Sequence, residues 1–348
     1  MKTHRRGRPA LLAATAALAA ATVAPGAANA AVGLSVTGDD GNPIALGGPI
    51  NIRNMNPQIG ATAATTDNWK LTGTGPGGAK VVDIGCRSGS LTAPRSVDYI
   101  GNGTYTLVLT TSSNFDCSAG AASQTFTFTI TASTTLGQPT TAVLTRKAGS
   151  VIPNTVNLPI DLNPGALSTE AWVARNVTPN PDGSLPGTPL QIFPDSTTKT
   201  VPVRLDQGPG FYVVAAHAKS FPGSFNPQTF APWATPVAIH AFAPFDTQKF
   251  TWTDTRGPSY RFSAVIRATG ATGRVSVGIR RGSKGKFRSY GKVKIRRHRI
   301  SKRLRLPRTG TYQLRLGYGG NSTVAAGSEV RSFRITRRIS FASASLSG

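Results

Sequence analysis

Apolar and polar side chains alternate along much of this chain with a period of two. Over residues 124–131, Phe126, Phe128 and Ile130 take one side and Thr125, Thr127 and Thr129 the other. Leu304 and Leu306 alternate with Arg303 and Arg305, and Phe333 and Ile335 flank Arg334. Such alternation marks strands with one face in a core and one in water. It predicts strands over residues 79–86, 104–110, 156–160, 170–176, 200–205, 211–218 and 236–242. More follow over 260–268, 274–280, 291–296, 300–306, 310–318 and 330–336. Turn clusters separate them, among them Asp39-Asp40-Gly41-Asn42-Pro43 and Gly101-Asn102-Gly103. Pro202 lacks the N–H that a ladder needs, so its strand is expected at a sheet edge. No stretch after the first thirty residues has a helical period.

One short pattern recurs three times: Gly103-Thr104-Tyr105-Thr106-Leu107, Gly210-Phe211-Tyr212-Val213-Val214 and Gly310-Thr311-Tyr312-Gln313-Leu314. Its tyrosines stand 107 and then 100 residues apart. That period is one β-sandwich domain, longer than a solenoid or propeller unit. In an immunoglobulin-type sandwich a tyrosine at this place buries its ring and returns its hydroxyl to the chain. The expected fold class is all-β: tandem immunoglobulin-like β-sandwich domains after an N-terminal signal peptide. The expected segments are a signal peptide (1–30), a sandwich with a disulfide (31–132), a Pro-rich sandwich (141–245), a strongly basic sandwich (246–337) and a flexible tail (338–348). The polar segment 133–140 reads as a linker.

The third segment also carries a family likeness. It has a Val275-x-Val277-x-Ile279 strand, a basic turn over 281–287 and a Lys292-Val293-Lys294-Ile295 strand. Leu306-Pro307-x-x-Gly310-Thr311-Tyr312-x-Leu314-Arg315-Leu316 follows, then a Gly/Asn-rich turn over 319–322. This run resembles the immunoglobulin-like repeats of secreted and surface proteins of bacteria. The first segment is similar more loosely, through Gly101-Asn102-Gly103-Thr104-Tyr105-Thr106-Leu107 and its cysteines, and the second through its tyrosine strand alone. The resemblance implies a β-sandwich fold and an extracellular spacer or adhesion role. It carries no catalytic residues to transfer.

The start of the chain points to export. Lys2, Arg5, Arg6 and Arg8 precede an apolar run over 10–23, and Ala28-Asn29-Ala30 has the small-x-small cleavage form, so the mature chain is expected from Ala31. Arg5-Arg6 also fits a twin-arginine signal, but Gly7-Arg8-Pro9 stand where apolar residues should follow; the general secretory route is expected. The run is shorter than the roughly 20 residues of a membrane span. No integral membrane span is expected elsewhere, and the product is expected outside the cell, released or held at its surface. In that setting Cys86 and Cys117 are expected to form a disulfide rather than remain free thiols.

Charge is distributed unevenly. Residues 31–255 hold 12 Lys and Arg against 13 Asp and Glu, whereas residues 256–348 hold 23 against one acid, Glu329. Alternation turns many of these bases to solvent, and Lys292, Lys294, Arg296, Arg303, Arg305, Arg315 and Arg334 form the candidate anion-binding surface. Such a surface attracts polyanions and weakens as salt rises. The expected partners are anionic cell-envelope polymers or acidic polysaccharide; the export signal argues against nucleic acid. The plain alternative is a solvated face, although a merely soluble surface usually mixes signs.

A long loop over 219–235 carries Phe221, Phe225, Phe230 and Trp233, able to stack on a glycan, anchor a protein, or fold back on the sandwich. Other strings resolve into turns or strands. Leu306-Pro307-Arg308-Thr309-Gly310 matches a sorting signal but runs straight into a strand. Gly73-x-Gly75-x-x-Gly78 leads into a strand where a dinucleotide fingerprint needs a helix. His217 and His240 lie on neighbouring predicted strands and could approach each other, but two ligands without a third make a poor zinc site. Asp39, Asp40 and Asn42 fit a turn better than a calcium loop. No catalytic residue, metal or cofactor is expected. The reading is a secreted non-enzymatic protein for cell-envelope binding, adhesion or spacing. A secreted hydrolase or its glycan-binding accessory, and a purely structural spacer, stay open.

Overall fold

The computed structural model describes residues 32–336 and 339–340, apart from 119–121, 145, 148–149, 152–154, 255–257 and 307. The expected signal peptide and the end of the tail lie outside the described residues. The strands make three pairs of packed sheets in chain order.

The first sandwich comprises β1 (Gly33–Thr37), β2 (Pro43–Ala45), β3 (Asn51–Ile52), β4 (Gln58–Thr62), β5 (Asn68–Thr74), β6 (Lys80–Ser88), β7 (Arg95–Ser96), β8 (Gly103–Ser112) and β9 (Ala122–Ile130). A sheet ordered β2-β1-β4-β7 faces one ordered β3-β9-β8-β5-β6. The second comprises β10 (Thr135–Leu136), β11 (Thr140–Val143), β14 (Thr155–Asp161), β15 (Ser168–Arg175), β16 (Gln191–Ser196), β17 (Thr200–Arg204), β18 (Gly210–Lys219) and β19 (Val237–Phe242), with a small hairpin of β12 (Arg146–Lys147) and β13 (Ser150–Val151). Its sheets run β10-β14-β17 and β11-β19-β18-β15-β16. The third comprises β20 (Thr247–Asp254), β21 (Ser259–Ile266), β22 (Arg274–Arg281), β23 (Arg288–Lys294), β24 (Arg299–Arg305), β25 (Gly310–Tyr318), β26 (Gly327–Ile335) and β27 (Ile339–Ser340), in sheets β20-β21-β24 and β23-β22-β25-β26-β27. All three therefore share one immunoglobulin-like core wiring, although β3 and β11 run parallel to the last long strand of the first two and β27 antiparallel to that of the third. Thr135–Leu136, expected as linker, pair with β14 and belong to the second sandwich. Ile339–Ser340, expected as frayed tail, pair with β26. Pro202 lies on β17, at a sheet edge as its chemistry requires.

The recurring Gly-x-Tyr has a physical cause. Gly103, Gly210 and Gly310 open β8, β18 and β25 with φ of 145°, 146° and 136°, a region side-chain-bearing residues rarely adopt. Two residues on, each tyrosine is buried and its hydroxyl donates to a carbonyl four residues upstream: Tyr105 to Gly101 at 2.9 Å, Tyr212 to Gly208 at 2.9 Å, Tyr312 to Arg308 at 2.8 Å. Each such bond is worth about 1 kcal/mol.

Each core draws on the inward residues of both sheets. Trp69, Leu71, Tyr105, Leu107 and Phe128 are fully buried in the first; Val173, Val201, Tyr212 and Ile239 in the second; Phe262, Val275, Leu314 and Val324 in the third. Cys86 and Cys117 form a disulfide joining the end of β6 to the turn after β8. Closing a 31-residue separation stabilises that sandwich by about 3–4 kcal/mol on chain entropy. The other two sandwiches contain no cysteine.

Candidate functional site

All seven predicted bases are exposed: strand alternation turns six of them outward, and Arg296 lies in a turn. The seven do not share a face. Lys292 and Lys294 on β23, Arg315 on β25 and Arg334 on β26 lie on the outer side of the larger sheet. Arg303 and Arg305 lie on β24, in the opposite sheet, and Arg296 sits at the turn joining β23 to β24. Two-sheet architecture divides what the sequence reads as one stripe. Around the turn, Arg296 and Arg299 exchange backbone hydrogen bonds at 2.9 Å while Arg297 and His298 take positive φ of 48° and 59°. Charge thus wraps the edge where the two sheets meet.

The larger face is better built than the alternation predicts. Register sets Arg274 opposite Lys294, Ser276 opposite Lys292, and Gly278 opposite Arg315. Gly278 leaves a gap, and Phe287 from the β22–β23 turn lies over it; a Cβ there would come within 3.2 Å of the Phe287 Cβ. The Arg280 and Arg315 guanidinium groups lie 4.5 Å and 5.0 Å from the centre of the Phe287 ring. Arg280 is held further by Gln313 Oε1 at 2.7 Å and the Gly285 carbonyl at 3.1 Å. Two guanidinium groups therefore flank one ring on the same outer face that carries Arg274, Lys292, Lys294 and Arg334. Arg274 is absent from the sequence-derived set, and Arg280 and Phe287 enter the sequence reading only within the turn 280–288 that extends the charge; the small Gly278 is the signal that Phe287 could lie over the strand.

No carboxylate belongs to this face. Among the described residues of β22, β23, β25 and β26 the sole acid is Glu329, which turns the other way. It accepts from Thr247 N at 2.9 Å and Thr247 Oγ1 at 2.6 Å and pairs with Arg331. Like charges opposite one another across strands repel, and the Arg274–Lys294 pair has no acid beside it to offset that.

The aromatic loop lies elsewhere and has other contacts. Ala218 and Ala231 join the buried apolar cluster of the first sandwich. Asp98 of that sandwich is 2% exposed, and its carboxylate accepts the backbone N–H groups of Ser224 at 3.0 Å, Phe225 at 2.7 Å and Asn226 at 3.0 Å. Asn56 Oδ1 accepts Phe221 N at 2.8 Å, and Lys80 sits 4.9 Å from the centre of the Phe225 ring. Phe230 and Trp233 turn back onto the second sandwich and stack on His217 at 4.4 Å and 3.7 Å, while Trp233 meets Trp172 edge-on at 5.1 Å. The four rings form no common platform: two face the first sandwich and two cover a sheet of the second.

Burial beneath these rings, with the Lys219 charge nearby, pushes the His217 pKa down to about 4. His240 lies at the far end of the sheet, opposite Phe211, with Nε2 2.9 Å from the Ser322 carbonyl; the two histidines do not meet. Asp39 Oδ1 accepts the N–H groups of Arg53 and Asn54, and Asp40 accepts from Asn42, so both carboxylates serve the turn. Among the described residues no group of three or more His, Cys, Asp or Glu could hold a metal. No helix among them is long and apolar enough to cross a membrane.

No protein-family model matches the chain, and no curated protein matches it. Among solved structures the chain is similar to the FN1–FN3 domains of chicken CNTN1, at 10% identity over 81% of this chain and 94% of that one, with a TM-score of 0.22.

Proposed function

We propose that this chain is a secreted, non-enzymatic spacer and binding protein, held at a cell envelope by its third sandwich through an anionic polymer such as a wall phosphate polymer or an acidic polysaccharide. The observation that carries this reading is the acid-free outer face of the β23-β22-β25-β26 sheet. There Arg280 and Arg315 lie against the Phe287 ring, and Arg274, Lys292, Lys294 and Arg334 share the same outer face. A polyanion would relieve their mutual repulsion and release its own counterions, so binding should fall as salt rises. Export is supported by the leader pattern and by the Cys86–Cys117 disulfide, which persists in oxidising surroundings.

The test is fractionation of the producing cells with low- and high-salt washes. Expected is retention at low salt and elution at high salt. A variant with Arg274, Lys292, Lys294, Arg315 and Arg334 changed to Ser should be released at low salt, while Arg303→Ser with Arg305→Ser on the opposite sheet should be held more nearly like the parent. Equal retention of the five-residue variant, or a parent found wholly in the medium at low salt, overturns the proposal.

A further inference from the structure

A cleft of about 600 Å³ opens where the loop of the second sandwich meets the outer face of the first sandwich's smaller sheet. Its floor comes from alternate positions of β1, β4 and β7. Ser35 lies opposite Gly60, and Gln58 opposite Ser96. The floor is low because Gly60 carries no side chain; a Cβ there would stand 2.8 Å from Ser35 Oγ. Phe221, 47% exposed, stands at the cleft, its backbone N–H held by Asn56 Oδ1 at 2.8 Å. No lining residue carries a charge. The side chains of Ser35, Gln58 and Ser96 have no hydrogen-bond partner among the described residues and face solvent.

We infer that this cleft binds a neutral saccharide. A sugar ring offers an apolar face of C–H bonds and a rim of hydroxyls, each both donor and acceptor. Phe221 provides a flat apolar body for the face. The hydroxyls and amides of Ser35, Gln58 and Ser96 provide matching groups for the rim. The volume falls within the range of pre-formed ligand sites, and half of the lining residues are polar, as a ligand rimmed with hydroxyls requires. Lack of charge separates this ligand from the polyanion proposed for the third sandwich. The site is composite: Ser35, Gln58 and Ser96 belong to the first sandwich and Phe221 to the second. The Asp98 contacts to the loop set the distance between them.

The test is retention of the full chain on beads of starch, cellulose, β-1,3-glucan and chitin in about 1 M NaCl, where charge is screened within about 3 Å and the basic sandwich is silenced. Expected is retention on at least one matrix and elution by the matching soluble oligosaccharide. Phe221→Ala should weaken it at least about tenfold, equivalent to roughly 1.4 kcal/mol. Ser96→Trp, which fills the cleft from an exposed edge strand, should abolish it with the melting temperature unchanged. A parent retained on none of the four matrices, or a Ser96→Trp protein retained like the parent, overturns the inference. Either failure leaves the low-salt retention of the third sandwich untouched, so the two proposals fail separately.

Discussion

β18 and β25 hold the same place in the second and third sandwiches, begin with the same Gly-x-Tyr turn and run to similar length, yet they face different surroundings. β18 is buried at every residue from Tyr212 to Lys219. In β25 Tyr312, Leu314, Leu316 and Tyr318 are buried, Arg315 is exposed, and Gln313 and Gly317 lie between. The outward positions of β18 are Val213, Ala215 and His217, covered by Trp233 and its loop. Those of β25 are Gln313, Arg315 and Gly317, with Phe287 near Arg315. One wiring therefore yields a three-layered joint in one place and an open cationic surface in another. A strand apolar on both sides signals two covered faces, as in buried sheets, and alternation signals one.

Five changes would break or sharpen that contrast. Trp233→Ala removes the cover of β18 and should destabilise the second sandwich by roughly 3 kcal/mol, with no effect on the third, read by calorimetry. Acid should act similarly through His217. The folded protein keeps this imidazole neutral down to about pH 4, whereas the unfolded chain takes up its proton near pH 6.5. Stability is then complete above pH 6.5 and falls by about 3 kcal/mol as pH drops to 4. Urea midpoints across that range check it, and His217→Phe should flatten the curve. Asp98→Ala leaves three backbone N–H groups without their acceptor, costing about 2 kcal/mol; the first two sandwiches should then melt apart, and the loop should become the first site of protease cutting. Tyr212→Phe and Tyr312→Phe should each cost about 1 kcal/mol. Equality is the point, since the corner is common to both strands; a much larger loss at one would mean its hydroxyl supports more than the turn. Last, Lys292→Ser with Lys294→Ser should change stability by less than about 0.5 kcal/mol in either direction, while measurably reducing the salt dependence of anion binding.

Much of the fold was legible in the chain. The long strands β8, β9, β22 and β25 are legible to within a few residues because each follows one period over seven or more positions, and β18 is legible as a nearly unbroken apolar run after its turn glycine. β1, β4, β5, β16 and β20 are not picked out in the sequence: Gly33–Thr37 and Gln58–Thr62 are short and rich in small residues, Pro194 interrupts β16, and the strand character of all five comes from pairing. The exposure of the seven bases was legible for the same reason as the strands.

Sequence alone determined the sandwich repeat, the tyrosine corners, the concentration of charge in the last segment and the pairing of the two available cysteines. These depend on local periods, on a glycine that tolerates positive φ, and on counting. Only tertiary structure decided that the bases occupy two faces, that Phe287 fills the gap above Gly278, and that Asp98 reaches a loop more than 120 residues away. It also decided that the aromatic loop covers β18 and borders a neutral cleft at Phe221. Those outcomes depend on which strands share a sheet and which sheets meet, and alternation along a single strand says which side is buried without saying what buries it.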